Sequence, residues 1–175
     1  MESPTVNPFE LNHLPVLPGR RDYGIGICGA GGIVNDAHLP AYRKAGFNVA
    51  GIFDARREAA ERTAARFEIP RVFDSLEQLV ADRRVDVVDI AVPATENLGI
   101  VEAVSAAGKP MLIQKPLAED YETARRTVEA ITRRGKEEIV VVECIYCKGQ
   151  KRVSRWGERK EERLWLLKAL LIRSN

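Results

Sequence analysis

No run of this chain approaches the roughly 20 consecutive apolar residues that a membrane-spanning helix requires, although 45% of its 175 residues are hydrophobic. Nor does either sign of charge dominate. Lys and Arg number 27 against 25 Asp and Glu, and the net +2 carries no signature of a nucleic-acid or membrane-surface protein. Cysteine is scarce and odd in number, three in all. That excludes a disulfide scaffold and favours a reducing compartment, the cytoplasm by default. Histidine is scarcer still, at His13 and His38 only. A metal centre would have to rest on Cys144-x-x-Cys147, which is one half-site with no second pair; structural cysteines fit better, and no metal is expected. Arg20-Arg21 could open a twin-arginine signal, but Gly24, Gly26 and Gly29 break the apolar run behind it, so no targeting segment is read. The length suits one ordinary domain with extensions and not a two-domain enzyme.

What is present is an alternation of short β-prone runs and longer amphipathic stretches, the pattern of βαβ units. Residues 1–20, with Pro4, Pro8, Pro15 and Pro18, read as an extended arm. From residue 21 the expected order is a strand at 24–28, a helix to about 43, a strand at 47–53 and a helix at 55–67. A short strand at 71–73 and a helix opened by Asp74 or Ser75 follow, then a strand at 85–92, a helix at 97–107, a strand at 111–114, a helix at 118–134 and a sixth strand at 139–144. Asp86 and Asp89 interrupt the 85–92 run, and strand-edge positions would explain them. This is an α/β fold, a doubly wound parallel sheet of Rossmann type with helices on both faces, over residues 21–147. Residues 148–175 form a basic tail, in which 164–172 reads as a helix apolar on much of its surface. From 136 onward 10 basic residues face 6 acidic ones.

Gly24-x-Gly26-x-x-Gly29 matches a dinucleotide motif by spacing alone, yet its first two glycines lie inside the strand. The useful turn begins at Gly29. Gly29 and Gly31 supply the tight turn and the close backbone approach to a pyrophosphate, while Val34 occupies the third position, where glycine or alanine would pack the helix more closely. The anion would rest on the turn Gly29-Ala30-Gly31-Gly32-Ile33, with the amides of Gly31, Gly32 and Ile33 at a helix N-terminus. Asp54 follows Gly29 by 25 residues at the end of the second strand, where a carboxylate can accept from ribose hydroxyls and repel a 2′-phosphate. NAD is therefore favoured, with NADP kept open by Arg56 and Arg57. Glycines that merely turn the chain, and an Asp54 that merely caps a helix, are the plain alternatives.

The segment Ala107-Gly108-Lys109-Pro110-Met111-Leu112-Ile113-Gln114-Lys115-Pro116-Leu117-Ala118 resembles the A-G-K-x-V-x-x-E-K-P-x-A strand and loop of the glucose-fructose oxidoreductase and inositol dehydrogenase family, Gfo/Idh/MocA. The resemblance runs from about Tyr23 to Gly135 and takes in the Gly-Ala-Gly-Gly-Ile turn, His38-Leu39-Pro40-Ala41 and Val92-Pro93. It implies an NAD(P)-dependent oxidoreductase acting on sugar or polyol hydroxyls, with Lys115 orienting a hydroxyl or assisting proton transfer. A partly desolvated lysine at a strand's carboxyl end suits that role. Val92, Pro93, Asn97 and Gln114 would line the cofactor. Two positions depart from the family pattern: Gln114 replaces glutamate, and Asn97 stands where many members have histidine.

The resemblance also implies a second domain supplying an aspartate and a histidine, and neither can be matched after Lys115. The isolated chain is therefore expected to be catalytically incomplete, and whether it is an enzyme stays open. Besides the oxidoreductase reading stands a non-catalytic NAD(H)-binding or interaction subunit that joins a larger partner through the tail helix. That helix could pack on the sheet, self-associate or meet an anionic membrane, in falling order of expectation; a shifted reading frame or altered splice is the further alternative.

Overall fold

The computed structural model describes residues 19–132 and 139–141. The expected N-terminal arm up to residue 18, the tail helix, Gly135, and Cys144 with Cys147 lie outside the described residues. Five parallel strands form one sheet: β1 (Gly24–Cys28), β2 (Asn48–Phe53), β3 (Val87–Ile90), β4 (Met111–Ile113) and β5 (Ile139–Val141), in the order β2-β1-β3-β4-β5. The chain reverses direction across the sheet between β1 and β3, which opens a crevice at their carboxyl ends.

Helices cover both faces. A π-helical segment (Val34–His38) continues into α1 (Leu39–Ala45), and with α2 (Arg57–Phe67) it closes one side over a core of Ile25, Ile27, Val34, Tyr42 and Ile52. On the other side α3 (Leu76–Ala81), α4 (Ala94–Ala106) and α5 (Tyr121–Thr132) bury Leu79, Val88, Ile90, Val101 and Ile113. The apolar runs read as buried strands are buried: all five residues of β1 and all three of β4. Ser75, not Asp74, caps α3 by accepting from Gln78 N–H at 3.3 Å, and Gln78 Oε1 accepts in return from Asp74 N–H at 3.2 Å. Asp120 caps α5 through the Thr123 amide and hydroxyl, which hold its carboxyl below the usual range. Gly108, at φ +69°, ends α4 as expected.

Two expectations need correction. Residues 71–73 do not form a strand of the sheet: Pro70 and Asp74 leave room only for a parallel bridge of Val72 to Ile52, with Ile52 N–H donating to Arg71 O and Phe73 N–H to Ile52 O, both at 2.9 Å. The two acids in the third strand also differ from a strand-edge pair. Asp86 precedes β3 and accepts from Gly24 N–H at 2.8 Å, whereas Asp89 lies within central strand β3 and is 1% exposed. Its carboxylate is tolerated there because His38 and Tyr42 bond to it.

Gly24 and Gly26 sit within β1, so they are not part of a phosphate turn. They serve close packing: a Cβ on Gly24 would collide with the Arg84 carbonyl, and one on Gly26 would come within 2.7 Å of Val85 Cγ1.

Candidate functional site

The loops after four adjacent strands meet at the carboxyl edge of the sheet, and backbone hydrogen bonds lace them together. Gly29 N–H donates to Phe53 O at 2.7 Å, Ala91 N–H to Cys28 O at 2.8 Å, and Gln114 N–H to Ile90 O at 2.8 Å. Every site residue anticipated from the sequence lies on one of these loops or in the first turn of the helix that follows. Gly29, Ala30, Gly31, Gly32 and Ile33 follow β1, while Asp54 and Arg56 follow β2. Val92, Pro93 and Asn97 follow β3, and Gln114 and Lys115 follow β4.

The turn after β1 has the properties an anion cradle needs. Gly29 adopts φ +108°, and a Cβ there would run into the Ala91 carbonyl, so the tight reversal needs glycine. Gly31 faces the other way, with nothing within 4 Å of a Cβ position. Space is therefore open in front of the backbone. Asn35 N–H makes the first helical bond, to Gly31 O at 3.1 Å, so the amides of Gly32 and Ile33 ahead of it have no intrahelical acceptor. Asn35 also clamps the turn through its side chain, donating to Ala30 O and Gly31 O, both at 3.0 Å. Sequence reasoning missed this residue, since an asparagine one turn into a helix carries no distinctive spacing. Val34 is fully buried, and the helix widens into its π-helical segment at that residue.

Asp54 joins β2 to this turn. Its Oδ2 accepts from Ala30 N–H at 2.7 Å and its Oδ1 from Arg56 N–H at 2.8 Å, with the side chain 12% exposed. Each oxygen keeps a lone pair for a further donor. α2 begins only at Arg57, so Asp54 does not cap its first-turn amides directly. Arg56 is 77% exposed, its Nε 3.5 Å from Asp54 Oδ1, while Arg57 is occupied by Glu61 and Asp74.

On the opposite wall, Pro93 is the N-cap of α4 and Asn97 is buried in that helix's first turn. Asn97 Nδ2 donates to Pro116 O and Leu117 O, both at 3.1 Å, and Oδ1 is buried without a partner. Asn97 thus fastens the loop after β4. Gln114 Oε1 accepts from Lys115 N–H at 2.8 Å, and Lys115-Pro116 is a cis peptide. The Lys115 side chain is exposed, so the partial desolvation expected of it is not met within the described residues. Lys109 of the A-G-K stretch is structural: its ammonium donates to the carbonyls of Asp82 and Val85. A surface groove of about 570 Å³ lies elsewhere, beside α3, where Asp82 pairs with Arg71 and Arg84. Among the described residues no cluster of His, Cys, Asp and Glu could hold a metal ion, and no helix is long and apolar enough to cross a membrane.

A switch-point crevice, a glycine turn opening a helix and an acid ending the next strand define a nucleotide-binding Rossmann domain. The sequence profile of the Gfo/Idh/MocA oxidoreductases, an NAD-binding Rossmann fold, matches residues 23–143, and the chain belongs to this family. It is 37% identical over 121 residues to an inositol 2-dehydrogenase of Paracoccus denitrificans, a match covering 67% of this chain and 35% of that protein. An oxidoreductase of Thermotoga maritima superposes with a TM-score of 0.65 at 30% identity, covering 70% of this chain and 38% of the other. A 3-ketoreductase of Actinomadura kijaniata in complex with NADP gives 0.59 at 26% identity, covering 69% and 36%. The chain spans about a third of the length of the curated relatives it matches.

Proposed function

We propose that this chain supplies the nicotinamide-binding part of an oxidoreductase acting on sugar- or polyol-type hydroxyl groups, with NAD preferred over NADP. The observation that carries the reading is the cradle after β1, open in front of Gly31 and tied to Asp54 through the Ala30 amide. A dinucleotide would lay its pyrophosphate on the amides of Gly32 and Ile33 and its adenosine ribose against Asp54. When bound, the nicotinamide supplies the hydride chemistry. The carboxylate of Asp54 disfavours a 2′-phosphate, and Arg56, exposed beside it, sets how strongly. Lys115 is the residue assigned to the substrate hydroxyl, at the carboxyl end of β4. The hydroxyl class follows from the inositol 2-dehydrogenase relative. Placement in the cytoplasm accords with the odd cysteine count.

A second reading is a non-catalytic NAD(H)-binding or interaction subunit that joins a larger partner through residues 148–175. It is favoured by the surroundings of Lys115. The histidine among the described residues, His38, is buried and bonded to Asp89 and Gln114, so no described imidazole faces the lysine from the substrate side. Titration with NADH and NADPH, followed by nicotinamide fluorescence, tests both readings. Saturable NADH binding, tighter than NADPH and lost in Gly31→Trp, is expected; that variant fills the cradle without meeting protein atoms at its Cβ. Absence of saturable binding to either nucleotide would overturn both. Turnover of NAD with myo-inositol by the chain alone would decide for the first.

A further inference from the structure

Behind the Lys115 turn runs a row of hydrogen-bonded side chains drawn from three separate segments. Asp89 Oδ2, inside central strand β3, accepts from the Tyr42 hydroxyl at 2.9 Å and lies 2.8 Å from His38 Nδ1. His38 Nε2 lies 3.0 Å from Gln114 Nε2, and Gln114 Oε1 accepts from Lys115 N–H at 2.8 Å. His38 and Asp89 are 3% and 1% exposed, and Asp89 Oδ1 is buried without a partner. A carboxyl in a central strand with an unsatisfied oxygen costs free energy that an apolar residue would spare. The π-helical segment that ends at His38 is likewise less stable than regular helix and recurs at functional sites. Local rules broken twice beside one turn mark a place where something other than stability is being served.

The direction of each bond follows from what its neighbours can do. A carboxylate only accepts, and burial with Asp89 alongside pushes the Tyr42 hydroxyl well up, so it stays a donor. His38 must then carry its ring hydrogen on Nδ1, which leaves Nε2 bare and in need of a donor. Gln114 can answer only with its NH2 group, and that turns its carbonyl oxygen onto the Lys115 amide. All the donors in the row therefore point the same way, from Lys115 N–H toward Asp89, an arrangement in which each bond polarises the next.

We propose that His38 and Asp89 are positioning residues that fix the orientation of the Gln114 amide and, through it, the peptide from which Lys115 projects. Glutamine at 114 is matched to this histidine tautomer, because a carboxylate there would set acceptor against acceptor. The consequence for Lys115 rests on the nicotinamide-site reading; the bond directions do not.

The test is 15N NMR of the full chain, whose two histidines are told apart with His13→Gln. The wild type is expected to show His38 protonated at Nδ1 and bare at Nε2. Gln114→Glu should lose the bare-Nε2 signal, and both Gln114→Glu and Gln114→Met should displace the Lys115 backbone amide resonance and weaken NADH binding. A protonated Nε2 in the wild type overturns the proposal, as does a Lys115 amide unmoved in Gln114→Met. The wild-type spectrum decides the bond directions even if a variant fails to fold. The expected tautomer together with no NADH binding would sink the nicotinamide reading and leave the hydrogen-bonded row standing.

Discussion

After β1 the chain turns on glycine, with the backbone laid open; after β4 it turns with its backbone held from behind by side chains. The first turn owes its shape to Gly29 at φ +108° and to the Asn35 amide that spans Ala30 and Gly31. The second is held by Gln114 on one side of Lys115 and Asn97 on the other, both resting on buried polar contacts. A turn that must present its own amides cannot have them covered, so it is stiffened by conformation. A turn that must present one side chain can spend its backbone groups on anchoring.

Breaking each turn at its own kind of support should give different signatures. The largest effect is expected from Gly29→Ala, where positive φ and the Ala91 carbonyl both oppose a Cβ; about 3 kcal/mol or more of stability should be lost in urea denaturation. Asn97→Ala should cost less, about 2 kcal/mol, because it leaves the carbonyls of Pro116 and Leu117 without their donor. Limited proteolysis should then cut sooner at residues 115–120. Asn35→Ala removes neutral hydrogen bonds beside solvent and should cost about 1 kcal/mol, but NADH affinity should fall with it, since the cradle loses its clamp. An Asn35→Ala protein with unchanged NADH binding would show that glycine geometry alone shapes the first turn.

The smallest effect concerns Cys28, at the end of β1 between the two turns. Burial, with Asp54 and Asp89 nearby, pushes its thiol up to about 12. The unfolded chain, with an ordinary thiol near pH 8.5, gives up this proton first. Stability from this group is therefore intact below about pH 8.5 and declines as pH rises toward 12. Native Cys28 should resist alkylation at pH 8 and react once urea unfolds the chain, as peptide mass mapping would show.

Much of this arrangement was legible in the sequence. β1, the glycine turn and Asp54 could be placed because strand, turn and acid are local features at fixed spacing, and the lysine loop because its motif is long. The row from Asp89 to Lys115 was not, since nothing in the spacing of residues 38, 89 and 114 says that they meet. Asp89 in particular reads as an interruption of an apolar strand until His38 and Tyr42 are seen to satisfy it. The segment 71–73 was over-read for a simpler reason: β-prone residues mark where a strand can form, while Pro70 and Asp74 allow only one bridging residue.

The π-helical segment has a consequence for how this helix tolerates change in length. A π turn holds one residue more than an α turn, so the helix is in effect two helices out of phase, one aligned on the cradle and the other on the sheet. Deleting any one residue of 34–38 would restore regular pitch and rotate everything beyond it by about 100°. Tyr42 and Ala45 would be carried off the core, or the cradle amides would be turned from the crevice. The spare residue thus acts as a phase adjuster, letting one continuous helix serve two surfaces that an even pitch could not face together.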